Sequence, residues 1–124
     1  MNAEMKKKLA KNWFKILQDM ICRGIEELEG GKKFIVTEWK RNKKNEGGGE
    51  YRVLKEGKIF EKVGVNFSEV YGKFSKEFRN KIPGTNLNPS FWASGISIVM
   101  HTKNPHVPAM HFNTRYIYTS HGWF

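Results

Sequence analysis

Cysteine and long apolar stretches are both scarce in this chain, and each scarcity excludes a class of protein. Cys22 is the only cysteine among 124 residues, so an internal disulfide is excluded and a reducing compartment is indicated. No stretch approaches the roughly 20 apolar residues of a membrane-spanning helix. The basic first residues are not followed by an apolar core and a cleavage site, so secretion is not expected. We expect a cytoplasmic protein with a single domain, residues 1–124.

Acidic residues are also few. The chain has 12 Asp and Glu against 22 Lys and Arg, which gives a net charge of +10. A positive surface attracts anionic partners. One such partner is nucleic acid, on whose bases Tyr116 and Tyr118 could stack, although no nucleic-acid motif is recognisable. A small polycarboxylate is a second candidate partner. In the third interpretation of the positive charge, the lysines have no anionic partner and contact only water.

The spacing of apolar residues predicts a helix followed by strands. Between residues 3 and 28 the apolar positions recur every three or four residues, which is typical of an amphipathic helix, and Gly30 and Gly31 are expected to end it. We therefore predict an α+β fold in which helices cover an antiparallel β-sheet. The other expected elements are a strand at 34–39, a glycine-rich loop or flap at 41–49, a hairpin of 51–54 and 58–63 with Gly57 at positive φ in its turn, a strand or loop at 64–72 and a short helix at 74–80.

Two further strands are predicted between residues 94 and 119. Residues 96–100 are mostly β-branched or apolar, residues 110–118 alternate strictly, and the two prolines between them indicate a loop. Because successive side chains of a strand point to opposite faces, pairing of these strands would gather a set of polar groups on one side of the sheet. The set consists of Ser97, His101, His111, Asn113 and Arg115.

This set is suited to binding an anion, because it combines several hydrogen-bonding groups on rigid backbone: a hydroxyl, two imidazoles, an amide and a guanidinium. The alternative interpretation is a polar sheet face that only contacts water, which is common in antiparallel sheets. Periodicity does not distinguish the two, so both remain open from the residues alone.

Two segments resemble a known family. ASGISIVMHTKNPHVPAMHFNTRY at 93–116 resembles the core segment of the oxygen-dependent coproporphyrinogen III oxidases, and EGGGEYRVLKEGKIFEKVGVNFSEVYG at 46–72 resembles their glycine-rich segment and EKxGVN-type stretch. The resemblance is weak over the first helix and strong from Thr37 onward. It implies an enzyme of haem biosynthesis that converts two propionates of coproporphyrinogen III to vinyl groups, giving protoporphyrinogen IX. Dioxygen would be the acceptor, without flavin, haem or nicotinamide.

The resemblance also implies roles for individual residues. His111 corresponds to the proton donor of the family, and His101 and His111 to candidate ligands of a divalent metal. The spacing of five that separates His101, His106 and His111 matches no standard zinc pattern. The residues that correspond to substrate-binding positions are Ser97, Asn113, Thr114 and Arg115.

Members of the family continue beyond the position of the final HGWF, residues 121–124, into a second half. The resemblance therefore leads us to expect the N-terminal part of such an enzyme, with a homodimer partner or a complementing C-terminal half. The alternatives are an active enzyme, an inactive remnant that binds a tetrapyrrole or another anion, and one half of a split enzyme.

Overall fold

The computed structural model describes residues 1–42, 46–85 and 87–124, and these form one helix and a six-stranded sheet. The strands follow each other across the sheet in sequence order, each antiparallel to the next. The predicted α+β class is confirmed, with one helix on one face of the sheet in the described ranges. None of the described helical segments is long and apolar enough to cross a membrane. The elements are α1 (Ala3–Leu28), β1 (Ile35–Lys40), β2 (Gly47–Lys55), β3 (Phe60–Lys73), β4 (Ser90–Thr102), β5 (Met110–Thr119) and β6 (Gly122–Trp123).

The helix begins and ends where its sequence indicates. The side chain of Asn2 accepts a hydrogen bond from the Met5 N–H at 2.8 Å, which satisfies one of the backbone donors left open in the first turn. After Leu28 the chain passes through Gly30 and Gly31, whose φ angles of 70° and 100° suit glycine. The predicted helix at 3–28 is therefore confirmed.

The core lies between α1 and the two central strands, β3 and β4. Because side chains alternate along each strand, one set from β3 and β4 packs under the helix and the other set points away from it. We call the side of the sheet turned away from α1 the open face. The core side chains are Phe14, Cys22 and Ile25 of α1, Val63, Val65 and Phe67 of β3, and Ile96 and Ile98 of β4.

Cys22 is a packing residue of this core. Its side chain is 2% exposed, and burial raises the pKa of the thiol to about 11. Because the thiolate is the reactive form of cysteine, this thiol is not suited to nucleophilic chemistry near neutral pH.

The glycine-rich loop predicted at 41–49 is wrong for residues 47–49, which belong to β2: all three pair with β3, and residues 48 and 49 also pair with β1. Residues 43–45 lie outside the described residues. At position 49 the glycine has a packing reason, since a Cβ there would lie 2.8 Å from Cζ2 of Trp39. The missing side chain lets the indole of Trp39 lie over the backbone of β2.

Two other local predictions are also wrong. In the β2–β3 turn the residue with positive φ is Glu56, at 53°, and not Gly57. The helix predicted at 74–80 is also wrong: residues 74 and 75 have no regular structure and residues 76–80 form turns, in the connection between Lys73 of β3 and Ser90 of β4. The rings of Phe74 and Phe91 stack at 4.4 Å and continue the contact between these two strands.

The Glu29 carboxylate ties the end of α1 to the β2–β3 turn. It accepts backbone hydrogen bonds from Lys58, from Ile59 at 2.9 Å and from Phe60 at 2.7 Å. Burial raises the pKa of this carboxyl, but the three backbone donors act against burial, and the pKa is lowered overall. Gly57 is needed beside it, since a Cβ there would lie 2.5 to 2.6 Å from the carboxylate atoms.

Candidate ligand-binding face of the sheet

The predicted site residues of β4 and β5 meet on the open face. Ser97 is directly opposite Asn113, and the neighbouring register pairs are Gly95 with Arg115 and Val99 with His111. Since Ile96 and Ile98 are buried under α1, the alternate residues of both strands point to the open face. The prediction that the imidazole of His111 and the guanidinium of Arg115 share one side of the sheet is confirmed.

These side chains are available to a ligand. His101, His111, Asn113 and Arg115 are exposed, and Ser97 is half-buried. Within the described ranges none of the five makes a side-chain hydrogen bond or an ion pair. Arg52, which lies on the α1 side of the sheet, differs in this respect: it is paired with Asp19 at 3.2 Å and with Glu50 at 2.8 Å. The open face therefore presents a cation without a carboxylate partner in the described chain.

The floor between these side chains consists of small residues. Neighbouring strands lie about 4.8 Å apart and a strand advances about 3.3 Å per residue, so the distance from β3 to β5 is roughly 10 Å and the length from residue 93 to 97 is roughly 13 Å. The indole of Trp39, which lies over Gly49, borders this area on the β2 side. An area of this size can accept part of a flat ring system such as a tetrapyrrole. Its small residues are Ser68 of β3 and Ala93 and Gly95 of β4.

Thr114 is not brought together with the other predicted substrate residues. It pairs with Ile96 and lies on the α1 side of the sheet. The alternation that gathers Asn113 and Arg115 on the open face necessarily turns the residue between them away from it. The side chain of Thr114 is therefore not on the face where the other predicted substrate residues lie.

The predicted metal ligands do not form a metal site by themselves. His101 and His111 are diagonal neighbours across β4 and β5. The described residues contain no group of three or more His, Cys, Asp and Glu side chains that could hold a metal ion. Because protein zinc sites use three or four protein ligands, these two imidazoles do not fit a resident metal without further donors. His106 is exposed in the loop between the strands.

Two residues of the open face were not predicted as site residues. The Nε1–H of Trp39 donates a hydrogen bond to Oδ1 of Asn66 at 2.9 Å. Asn66 in turn is directly opposite Ser97 on the neighbouring strand. The signal in the sequence is an asparagine inside a strand, where this residue type is depleted.

The tyrosines suggested for stacking on nucleic-acid bases are engaged elsewhere. Tyr116 lies on the α1 side, where its ring stacks on Trp123 at 5.4 Å and its hydroxyl is buried without a hydrogen-bond partner in the described chain. Burial raises the pKa of this hydroxyl. The ammonium group of Lys7 lies 5.1 Å from the ring centre of Tyr118. The interpretation as a nucleic-acid-binding protein therefore loses its proposed stacking platform.

Comparison with known proteins identifies one family. The family profile described as coproporphyrinogen III oxidase matches residues 9–124. The oxygen-dependent coproporphyrinogen-III oxidase of Rickettsia felis is 51% identical over 127 residues, which cover 95% of this chain and 44% of the relative. The enzyme of the same name from Rickettsia africae is 50% identical over 133 residues, which cover 100% of this chain and 46% of the relative.

The chain thus spans less than half the length of these relatives and corresponds to their N-terminal part. The profile match covers most of α1 and every strand of the sheet. On this match and these identities, the chain belongs to the coproporphyrinogen III oxidase family.

Proposed function

We propose that the open face binds coproporphyrinogen III and that the chain contributes this face to an oxygen-dependent coproporphyrinogen III oxidase of the cytoplasm. The reaction is the oxidative decarboxylation of two propionate side chains to vinyl groups, with dioxygen as acceptor and no organic cofactor. The observation that carries the proposal is the set of unpartnered polar side chains on one rigid sheet face above a floor of small residues. The names of the relatives supply the substrate class.

Arg115 is the residue that grips a propionate. A planar guanidinium forms two parallel charge-assisted hydrogen bonds with a carboxylate, which an ammonium group cannot do. Its neighbour in register is Gly95, so no side chain on β4 stands in front of the guanidinium. Asn113 and Ser97, in the next register pair, then hydrogen-bond to the adjacent carboxylate or pyrrole.

His111 is the proton donor in this proposal. Histidine can give or take a proton near neutral pH, and proton transfer is needed when a pyrrole substituent loses hydrogen and carbon dioxide. His111 and Arg115 are four residues apart on β5, a separation of roughly 13 Å along the strand. The two side chains therefore serve different parts of the ring, one holding a propionate and the other acting at the reacting pyrrole.

Because the chain covers less than half of each of these relatives, a second candidate function is also supported. More than half of the length of each of these relatives has no counterpart in this sequence. A chain that binds the tetrapyrrole without converting it, or that acts only with a complementing C-terminal half or a second copy of itself, is consistent with the same open face.

A chimera separates these candidates. We would join this chain to the remaining C-terminal part of the Rickettsia felis relative and supply coproporphyrinogen III in air and under nitrogen. We expect oxygen-dependent formation of protoporphyrinogen IX by the chimera. The chain alone is expected to bind coproporphyrin III, the stable oxidised form of the ring, whose fluorescence reports binding. A chimera that folds and binds the ring but forms no product in air would contradict the proposed enzyme function.

Replacing Arg115 by alanine is expected to weaken binding of coproporphyrin III to the chain by about 10- to 100-fold. A hydrogen bond to a charged group contributes about 1.5–3 kcal/mol, which corresponds to that range. Arg115→Lys keeps the charge and should recover only part of the loss. The matched control is Arg23→Ala, since Arg23 is exposed on α1 and pairs with Asp19. Equal losses of affinity in both variants would show that binding depends on the net charge of the chain and not on a specific contact with Arg115.

A further inference from the structure

Asn66 and Trp39 form a contact across three strands of the open face. Trp39 belongs to β1, and its indole passes over Gly49 of β2 to reach Asn66 on β3. The donor and acceptor atoms are 2.9 Å apart. An indole N–H can only donate, so the amide atom that it meets must be the oxygen. This contact therefore fixes which end of the Asn66 amide faces Trp39.

The fixed orientation turns the oxygen of Asn66 toward Trp39 and leaves its NH₂ group as the donor available to a ligand. Within the described ranges this group has no partner. Asn66 is directly opposite Ser97, which is directly opposite Asn113, so three polar side chains from β3, β4 and β5 form one row across the sheet. Arg115 lies in the adjacent row, beside Gly95 and Ser68.

We propose that Asn66 is a further ligand-binding residue whose NH₂ group donates to a carboxylate of the bound ring, and that Trp39 is the positioning residue that holds it as a donor. The inference rests on the proposed function and adds a specificity to it. A mobile asparagine can accept a hydrogen bond from a pyrrole N–H as well as donate to a carboxylate. In Asn66 the oxygen is turned toward Trp39, so the group that the amide presents to a ligand is the NH₂ donor, which favours an acceptor.

The geometry also explains the glycine at position 49. A side chain there would occupy the space of the Trp39 ring, since an added Cβ would lie 2.8 and 2.9 Å from two of its atoms. The glycine of β2 thus permits a contact between strands that are not neighbours. This contact is the one that orients Asn66.

The test uses the chain itself and coproporphyrin III as the probe. Asn66→Asp keeps an oxygen for the Trp39 N–H but replaces the donor by a negatively charged acceptor. We expect this variant to bind coproporphyrin III about 10- to 100-fold more weakly, with an unchanged thermal unfolding midpoint. The matched control is Asn12→Asp, which makes the same charge change at an exposed position of α1 and should leave binding unchanged.

Trp39→Phe tests the positioning role. It keeps an aromatic ring over Gly49 but removes the N–H, so the Asn66 amide is free to turn over. We expect binding about 3- to 10-fold weaker than wild type, and no further loss when the change is added to Asn66→Asp, because both act through one amide. A loss of equal size in both backgrounds would overturn the positioning role.

The outcomes distinguish this inference from the proposed function. If the wild-type chain does not bind coproporphyrin III, the proposed function fails and the inference with it. If the wild-type chain binds and Asn66→Asp binds equally well, the inference alone is overturned. If Asn66→Asp loses binding only in proportion to a lower unfolding midpoint, Asn66 is a structural residue and the inference is likewise overturned.

Discussion

Replacing His111 by alanine is expected to lower kcat of the active chimera by roughly 10²- to 10⁴-fold, with little change in KM. This is the usual contribution of a positioned general acid or base. The expectation follows from geometry, because His111 lies on the same face as Arg115 but at the other end of the substrate floor. Loss of the imidazole therefore removes proton transfer and leaves the proposed contact between Arg115 and a propionate intact. Initial rates at saturating coproporphyrinogen III measure the effect.

His106→Ala is the matched control for this variant, since His106 is an exposed histidine of the loop between β4 and β5. It should leave kcat close to wild type. A variant with normal kcat and a raised KM would assign His111 to binding and contradict the proton-donor role.

Replacing Glu29 by alanine is expected to lower the free energy of unfolding by roughly 3–6 kcal/mol. Three backbone N–H groups of the β2–β3 turn lose a charged acceptor, and a hydrogen bond to a charged group contributes about 1.5–3 kcal/mol. The bond from Phe60 is buried and the other two are partly buried, so the total loss is smaller than three full contributions. The loss is large beside the roughly 5–15 kcal/mol of a typical domain. Urea unfolding followed by circular dichroism measures it. Glu27→Ala, an exposed change near the end of the same helix, should cost much less.

The same carboxylate makes stability depend on pH. Because the pKa of Glu29 is lowered below its ordinary value of 4.5 in the folded chain, its contribution is fully present above pH 4.5. The contribution is lost as the pH falls through the lower folded-state pKa. We expect the wild type to lose stability in this acidic range and the Glu29→Ala variant to lose less. An identical acid dependence in both proteins would contradict this role.

The sequence predicts those features that depend on local periodicity. The 3.6-residue period places α1, and the two-residue period of β4 and β5 predicts that His111, Asn113 and Arg115 share a face. The same period excludes Thr114 from that face. These predictions succeed because a helix or strand imposes its period on every residue in it.

The remaining features depend on contacts between distant residues. The residues at 47–49 have the composition of a loop, but they belong to β2, and the lack of a side chain at Gly49 allows Trp39 of β1 to pack over it. Trp39 and Asn66 are 27 residues apart, and Glu29 and Phe60 are 31 apart. No local sequence pattern indicates such pairs. Neither the hydrogen bond between Trp39 and Asn66 nor the contact of Glu29 with the β2–β3 turn could therefore be predicted from the residue types.

The meander order of the sheet has a consequence for how the molecule forms. Each strand pairs with the one that precedes it in the chain, so every pairing joins segments that are neighbours in sequence, and such local pairings favour fast folding. The longest connection is residues 74–89, between β3 and β4. The sheet can grow strand by strand in the order of synthesis on the ribosome. The row of Asn66, Ser97 and Asn113 is then completed only when β5 docks, so the proposed binding row forms late in the growth of this sheet.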